Sequence, residues 1–253
     1  MSHLKSWNDW FSVASRLTLK NAYRTFRQVF TLKGQPIDQV LQLCSITEDG
    51  LQLKQKTAVA LVDLTAAYDT VWHQGLRLKL LRTIPDKHLV VFIMETLSNR
   101  RFVLRTSDGQ ESRARRLKNG VPQGSILAPC LFNIYISDIP TTLSTKLVYA
   151  DDLALAFTGP DWADVENAMN RDLSTLHTYH HQNPLQISRE KTAYALYHLN
   201  TRNVGRQLNI SVDGKTIEFE PNLTYLGVKL DRSLTFKPHL TAVREKVLSR
   251  CAL

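Results

Sequence analysis

The chain has 253 residues, of which 43% are hydrophobic, and this composition is typical of a folded globular protein and unlike that of a disordered one. No apolar run reaches the ~18 residues that a membrane-spanning helix needs, so the sequence excludes a span of that kind. Lysine and arginine number 32 against 23 acidic residues, and the net charge of +9 agrees with a nucleic-acid partner without requiring one.

The N-terminal part of the chain is strongly basic, because residues 1–33 carry six lysines and arginines and one acidic residue. Residues 1–30 are interpreted as one amphipathic helix, with Ser6 and Asp9 at the spacing of a capping box. Its role is left open. A mitochondrial address is kept as an alternative, whereas the lack of an apolar core segment excludes a secretory signal.

The elements that follow alternate between helical and extended patterns. Residues 34–53 fit an amphipathic helix, and residues 57–62 form an unbroken apolar run that fits a strand buried on both faces. Residues 76–97 predict two helices broken at Pro85. Residues 161–181 repeat apolar side chains at three- and four-residue steps and predict a further helix.

A basic segment lies between the second and third of these helical regions. It is predicted as two strands, at residues 101–106 and 112–117, that turn at residues 107–109. Cations placed in this way would neutralise phosphates and bind nucleic acid, although a solvated hairpin is the alternative. The candidate nucleic-acid-binding residues of this segment are Arg100, Arg101, Arg105, Arg113, Arg115, Arg116 and Lys118.

Two further segments carry residue types that are typical of a reactive site. Residues 119–129 contain Pro122 and two glycines, which predict a rigid loop whose backbone a ligand can approach closely. A helix is predicted to follow at residues 126–136. The tetrapeptide Tyr-Ala-Asp-Asp at residues 149–152 lies between two apolar runs and predicts the tip of a β-hairpin. A plain Gly/Pro loop and a plain turn are the respective alternatives.

The C-terminal part is predicted as two short strands, at residues 208–212 and 216–219, and a helix that begins near Pro238. The three cysteines, Cys44, Cys130 and Cys251, lack any C-x-x-C spacing. Neither a zinc site nor a disulfide framework is therefore predicted, and we expect a reducing intracellular compartment, nucleus or cytoplasm.

Three carboxylates are the strongest candidates for chemistry. Asp63 follows the buried apolar run, and Asp151 and Asp152 lie at the hairpin tip. Adjacent carboxylates repel each other, and a buried strand should not end in an ionised group unless water, a partner or a metal receives it. If the two strands are neighbours in one sheet, the carboxylates could hold two Mg²⁺ ions and clamp the oxygens of a phosphoryl transfer. A surface aspartate at a strand end is the alternative for Asp63.

Three longer strings carry a resemblance to a known family. Residues 58–73, AVALVDLTAAYDTVWH, are similar to the first palm motif of the reverse transcriptases of non-LTR retrotransposons, the jockey-like group especially. Residues 120–135, GVPQGSILAPCLFNIY, resemble the second motif, and residues 225–231, YLGVKLD, resemble the hairpin that grips the primer. With the tetrapeptide at residues 149–152, the motifs follow the order of the family.

The resemblance implies a right-hand polymerase of α+β class, with an antiparallel palm sheet backed by helices, reduced fingers and a partial thumb. It also implies RNA-directed DNA polymerisation, in which a primer 3′-hydroxyl attacks the α-phosphate of a dNTP and pyrophosphate leaves. The implied partners are an RNA template, a DNA primer and dNTP, with no membrane. The implied cofactor is a pair of Mg²⁺ ions, with Mn²⁺ as an alternative.

The resemblance also implies roles for single residues of this sequence. Asp63, Asp151 and Asp152 would bind the metal ions together with the main-chain carbonyl of Leu64, and Tyr68 would screen the sugar 2′ carbon against ribonucleotides. Gln123 and Gly124 would lie under the incoming nucleotide, and Lys191 would lie beside the leaving pyrophosphate. Tyr225, Leu226 and Gly227 would lie at the primer. A solvated lysine at the start of a strand is the alternative for Lys191.

The sequence departs from the family before the palm. The basic fingers motifs of the family are not found. The cations that surround a triphosphate would therefore come from Arg16, Lys20, Arg24 and Arg27 of the N-terminal helix, and the alternative is that the chain does without them.

We divide the chain into a basic N-terminal helix at residues 1–33, a palm with remnant fingers at residues 34–222, and a primer-grip hairpin with the start of the thumb at residues 223–253. Two functions follow as hypotheses. The first is an RNA-directed DNA polymerase, and the second is a non-catalytic remnant of palm fold that binds nucleic acid or has no activity.

Overall fold

The computed structural model describes residues 35–251, apart from residues 99 and 126. The helix expected at residues 1–30 lies outside this part of the chain. The α-helices are α1 (Pro36–Gln52), α2 (Ala67–Thr70), α3 (His73–Thr83), α4 (Lys87–Ser98), α5 (Ala128–Tyr135), α6 (Trp162–Gln182) and α7 (Lys237–Cys251). The strands are β1 (Lys56–Leu64), β2 (Arg101–Phe102), β3 (Arg115–Arg116), β4 (Thr145–Tyr149), β5 (Asp152–Gly159), β6 (Ile187–Tyr197), β7 (Ser211–Val212), β8 (Lys215–Thr216), β9 (Glu218–Phe219), β10 (Asn222–Tyr225) and β11 (Val228–Asp231).

A five-stranded sheet with the order β4-β5-β1-β6-β9 forms the centre of the described fold. Neighbouring strands are antiparallel, except that β9 runs parallel to β6. The middle strand is β1, whose residues Ala58, Val59 and Ala60 are fully buried. The prediction of a strand at residues 57–62 that is buried on both faces is therefore confirmed.

The two faces of the sheet are covered by different elements. On one face, Ala60 and Val62 of β1 pack in one core cluster with residues of α6. On the other face, Val59 packs with residues of α1 and of the β10–β11 hairpin in a separate cluster. Because side chains alternate along a strand, Asp63 belongs to this second face, which we call the hairpin face.

Most predicted helices agree with the structure within a few residues, but the exposed strands differ. The basic segment forms only the two-residue ladder of β2 with β3 and one further bridge between Arg105 and Glu111. An isolated two-stranded hairpin without a core is marginal in water, which explains the short ladder. The strand predicted at residues 216–219 is split, because Ile217 is buried at 3% exposure and directs the chain from β8 into the central sheet as β9.

The helix predicted at residues 126–136 is shorter and spans Ala128–Tyr135. Helix α7 begins at Lys237, close to the expected Pro238. In the part of the chain that the structure describes, no helix combines the length and the apolar character needed to cross a membrane.

A buried lysine joins three helices behind the sheet. Lys79 of α3 donates from Nζ to Oδ1 of Asp138 at 2.6 Å, to Oδ1 of Asn183 at 3.1 Å and to the hydroxyl of Tyr179 at 3.3 Å. It also contacts the carbonyl of Tyr135 at the end of α5. Burial acts to raise the pKa of Asp138, but the hydrogen bonds from Lys79 and Tyr179 outweigh it and hold this pKa below the usual range.

Replacing this lysine should destabilise the fold. The Lys79→Met substitution keeps most of the side-chain volume but leaves the acceptors of α5 and α6 without their donor. We expect a loss of about 2 kcal/mol in the free energy of unfolding, at the low end for a broken buried pair because Asp138 is half exposed. Urea denaturation measures it, and Lys87→Met on α4, an exposed position, is the matched control. Equal stabilities of the two variants would contradict the role of Lys79.

Candidate active site

The strand register brings two of the predicted carboxylates side by side. The β1–β5 ladder ends with the pair Val62 and Leu153. The strands are antiparallel, so the next residues, Asp63 on β1 and Asp152 on β5, face each other at the end of the two strands. Residues opposite each other in a ladder share one face of the sheet, and for these two it is the hairpin face. The condition set by the sequence, that the two strands be neighbours, is thus met.

The third carboxylate lies at the adjoining turn. Asp151 is exposed in the turn between β4 and β5, directly after Ala150. Ala150 has φ 54°, in the left-handed region that costs a residue with a side chain about 1 kcal/mol or more. Strain of this kind persists where the surrounding structure fixes the backbone. Here the β4–β5 ladder fixes the turn, because Val148 pairs with Leu153 and Tyr149 pairs with Asp152.

The three charges act on one another. Burial raises the pKa of Asp152, and the negative charges of Asp151 and Asp63 raise it further. Asp63 has one carboxylate oxygen, Oδ2, that is buried without a hydrogen-bond partner among the described residues. A buried acceptor without a partner is costly, and a cluster of like charges adds to that cost. Both observations fit a cation held at this end of the sheet.

The expected convergence of the three side chains on a common point is not observed. Among the described residues, no group of three or more His, Cys, Asp or Glu side chains is arranged closely enough to hold a metal ion. The physical reason is repulsion between like charges, together with the position of Asp151 in an exposed turn and not on a strand. The donor set, carboxylate oxygens with the carbonyl of Leu64 next on β1, still has the chemistry that Mg²⁺ prefers.

Tyr68 lies beside this cluster. Its ring stacks on that of Phe132 from α5, with 4.9 Å between centroids and 22° between planes. Burial raises the pKa of Tyr68, and the charge of Asp151 is the next cause, so the phenol lies within the field of that carboxylate. The left-handed residue Ala66, with φ 46°, turns the chain from β1 into α2 and so brings Tyr68 to this position.

The predicted Gly/Pro loop packs closely on the segment that carries Tyr68. Gly120 has φ 87°, and a Cβ there would lie 2.8 Å from the carbonyl oxygen of Asp69, so only glycine fits. Val121 donates its backbone N–H to the Tyr68 carbonyl at 2.8 Å, and Gln123 donates from Nε2 to Oδ2 of Asp69 at 3.2 Å. The contact of Asp69 with Gln123 depends on a tertiary approach that the local sequence pattern does not report.

The remaining loop candidate, Gly124, has φ 82° and open space where a Cβ would lie. It therefore leaves room for a ligand next to Gln123, which is itself exposed.

Arg100 is partly buried and contacts the glycine loop. Its guanidinium donates from Nη1 to the carbonyl of Gly120 at 3.2 Å, and His73 donates from Nε2 to the same oxygen at 2.7 Å. Burial lowers the pKa of Arg100, and the charge of Asp69 opposes that shift. Arg100 thus supports the glycine loop, and its contact with nucleic acid stays a prediction.

The other candidates of the basic segment are on the surface of the hairpin. Arg105 pairs with Glu111 at 3.1 Å from Nε, and Arg116 donates to the Ser98 carbonyl at 2.8 Å. The remaining ones are exposed and have no ion pair within residues 35–251, gaps aside: Arg101, Arg113, Arg115 and Lys118.

Lys191 lies inside β6 and not at the start of a strand. The β1–β6 register changes from Leu61 with Ala193 to Asp63 with Ser188, so a bulge separates these pairs and contains Lys191. Thr192 bridges the bulge, since its Oγ1 accepts from the N–H of Asp63 at 3.2 Å and donates to the Ser188 carbonyl at 2.6 Å. No signal in the sequence indicates this threonine, because the bulge exists only in the folded ladder.

Lys191 lines a cleft of about 400 Å³ between β6 and the hairpin. Lys229 of β11 lines the same cleft, so the cleft carries two cations together with one carboxylate, Glu220.

The predicted primer-grip hairpin is confirmed as a hairpin, formed by β10 and β11. Its turn has φ 45° at Leu226 and φ 86° at Gly227, and two positive values are typical of a tight hairpin turn. Gly227 is exposed and Leu226 is partly exposed. Tyr225 is only 2% exposed, so its side chain is not presented to a primer, and this assignment is corrected.

The comparisons with known proteins agree with this arrangement. A family model described as reverse transcriptase (RNA-dependent DNA polymerase) matches residues 15–230. The chain is similar to the RNA-directed DNA polymerase from mobile element jockey of Drosophila melanogaster, with 28% identity over 236 residues, 90% of this chain and 25% of that protein. It is also 28% identical over 223 residues to the probable RNA-directed DNA polymerase from transposon BS of the same organism, 85% of this chain and 24% of that protein. The chain thus spans about a quarter of the length of these relatives.

Solved structures of telomerases have a similar fold. An apo telomerase from Candida tropicalis, truncated from the C-terminal domain, gives a TM-score of 0.60 at 12% identity, over 91% of this chain and 46% of that one. A telomerase from Candida albicans in complex with a TWJ fragment of telomeric RNA gives 0.52 at 12% identity, over 86% and 36%. At this identity the likeness concerns the fold alone.

Proposed function

The chain belongs to the reverse transcriptase (RNA-dependent DNA polymerase) family, and we propose that it supplies the catalytic palm of an RNA-directed DNA polymerase of the non-LTR retrotransposon type. Residues 34–222 would form the palm with remnant fingers, and residues 223–253 the primer-grip hairpin and the start of the thumb. The observation that carries the proposal is the placement of Asp63 and Asp152 one residue beyond the last pair of the β1–β5 ladder, Val62 with Leu153, with Asp151 in the adjoining turn.

These carboxylates are proposed to hold two divalent cations, Mg²⁺ or Mn²⁺, together with the main-chain carbonyl of Leu64. When bound, the cations would supply charge neutralisation for the attacking 3′-hydroxyl and for the leaving pyrophosphate. Asp63 offers a buried oxygen without a partner, and Asp152 carries a negative charge that its neighbours oppose, so both gain from a cation. Lys191, in the bulge beside Asp63, is proposed to approach the pyrophosphate as its charge develops.

Tyr68 and the glycine loop would bind the incoming nucleotide. The Tyr68 ring stacks on Phe132, and its bulk would oppose a sugar 2′-hydroxyl beside Asp151. Gln123 is oriented by Asp69, and Gly124 next to it has no side chain, which suits the flat surface of a base pair.

The template and primer would lie on the basic hairpin and on the β10–β11 turn. Arg101 lies directly opposite Arg116 in the β2–β3 ladder, and like charges in this arrangement destabilise a hairpin unless an anion lies between or over them. Nucleic-acid phosphates are such anions. Leu226 and Gly227, at the exposed turn of β10 and β11, would contact the primer end.

The proposal is tested by extension of a labelled DNA primer on an RNA template, with dNTPs and Mg²⁺. We expect template-directed products with Mg²⁺ or Mn²⁺ and none after the metal is removed with EDTA. Gel-shift binding of the same primer–template is measured in parallel. Binding without any extension would contradict the polymerase and support the non-catalytic, nucleic-acid-binding alternative.

A further inference from the structure

Tyr225 is buried at the point where the primer-grip hairpin meets the catalytic sheet. It is the last residue of β10, directly before the turn, and its side chain belongs to the same core cluster as Leu147 of β4 and Ala154 of β5. Ala154 is two residues from Asp152 on the same strand and therefore on the same face. The ring of Tyr225 thus packs on the face of the sheet to which Asp152 belongs.

The hydroxyl of Tyr225 has no partner in the part of the chain that the structure describes. Its oxygen is buried and forms no hydrogen bond with any described residue. Buried polar groups are almost always satisfied, and a phenylalanine would fill the same space without the cost of desolvating a hydroxyl. Tyr194 of β6 is the contrasting case, because its buried hydroxyl donates to the Leu208 carbonyl at 2.7 Å.

The negative charge of Asp152 acts on this hydroxyl. Burial raises the pKa of Tyr225 to about 12, and the second cause is the negative charge of Asp152. The phenol is therefore protonated at neutral pH and is a hydrogen-bond donor within the field of a carboxylate. Tyr197 is another buried tyrosine of the same cluster, and its hydroxyl also has no partner among the described residues. After burial, the causes that raise the pKa of Tyr197 are the charges of Cys44 and Asp231, and no residue of the catalytic site is among them.

We propose that Tyr225 is a positioning residue for Asp152: its hydroxyl donates a hydrogen bond to the Asp152 carboxylate when that side chain turns to bind a metal ion. The inference rests on the proposed function, because it assumes that Asp152 is a metal ligand. Carboxylates that bind metal ions are themselves oriented by hydrogen bonds from a surrounding shell of residues.

The consequence is a physical link between the primer and the metal site. Tyr225 is covalently adjacent to Leu226 in the primer-grip turn, so a shift of the turn would move the donor that orients Asp152. Binding of the primer terminus at the turn and ordering of the Asp152 carboxylate would then stabilise each other.

The test measures metal binding directly, without turnover. Mn²⁺ binding to the full chain is followed by electron paramagnetic resonance for the parent and for Tyr225→Phe, Tyr197→Phe and Asp152→Asn. We expect about tenfold weaker Mn²⁺ binding for Tyr225→Phe. Tyr197→Phe removes a hydroxyl of the same kind from the same cluster and should bind Mn²⁺ as the parent does.

A double-mutant cycle guards against an effect of folding alone. The thermal midpoints of Tyr225→Phe, Asp152→Asn and the double variant are measured with and without Mn²⁺, and we expect shifts that are not additive with the metal bound. Tyr225→Phe with parent-like Mn²⁺ affinity, or additive shifts, would overturn the role of Tyr225 and leave the proposed function intact. A parent chain whose Mn²⁺ binding is unaffected by Asp152→Asn would overturn both.

Discussion

The Asp63→Asn variant is expected to lose primer extension by about 10³-fold while its fold remains intact. A two-metal clamp supplies several kcal/mol of transition-state stabilisation, and about 4 kcal/mol corresponds to this factor. The amide keeps the size of the side chain but cannot offer a charged oxygen to a cation. The rate of the first nucleotide addition at saturating dNTP and Mg²⁺ measures the loss.

The same substitution should make the protein more stable at neutral pH. In the parent, the charge of Asp63 is one of the causes that raise the pKa of Asp152. A carboxyl with a raised pKa binds its proton more tightly in the folded state, so its contribution to stability is lost as the pH rises through that pKa. In the variant the charge of residue 63 is absent, so the pKa of Asp152 is raised less and less stability is lost as the pH rises. The difference in unfolding free energy should be small below pH 3.8, the ordinary value, and should grow as the pH rises through the raised pKa of Asp152.

The matched control is Asp49→Asn, which removes an exposed carboxylate of α1 that has no side-chain partner within the described residues. Its neighbour Gly50 approaches Thr57 and Thr158, at the opposite end of β1 and β5 from the three carboxylates. It should change neither extension nor the pH dependence of stability. An Asp63→Asn variant that extends primers at the parent rate would show that the chemistry uses another site. A variant that is both inactive and strongly destabilised would point to a structural role for Asp63.

The parts of the site that depend on strand periodicity could be predicted from the sequence. The apolar run before Asp63 and the two runs around residues 149–152 indicate buried strands, and buried strands of one domain tend to share a sheet. Their pairing as β1 and β5 follows from this. Lys191 could not be predicted in the same way, because its position depends on a bulge that Thr192 and Ser188 close through a hydrogen bond.

Tyr225 and Arg100 show what motif resemblance and charge counting do not report. Tyr225 alternates with Leu223 along β10, a pattern that indicates a buried face, but the resemblance to a primer-binding hairpin assigned it to the surface. Arg100 adds to a cluster of positive charge in the sequence, yet in the fold it donates to the Gly120 carbonyl. A count of charges cannot distinguish a cation that supports a loop from one that faces a ligand.

Reversing two charges of the basic hairpin should weaken RNA binding more than the same change elsewhere on the chain. Arg113 and Arg115 are exposed and have no ion pair within the described sequence. In the variant Arg113→Glu with Arg115→Glu, two phosphate contacts are lost and two repulsive charges are gained. We expect at least about a tenfold loss of affinity for single-stranded RNA, and a slope of log affinity against log salt that is smaller by about 1.4, because each contact contributes roughly 0.7.

The control carries the same change in net charge at a different place. Arg82→Glu with Arg171→Glu alters exposed residues of α3 and α6, where the structure gives no reason to expect nucleic acid. If binding depended only on the net charge of +9, the two double variants would lose affinity equally. Fluorescence anisotropy at several salt concentrations distinguishes the cases. A hairpin variant with an unchanged salt slope would show that the RNA path avoids Arg113 and Arg115, and the template would then have to reach the carboxylates along Lys191 and Lys229 on the hairpin face.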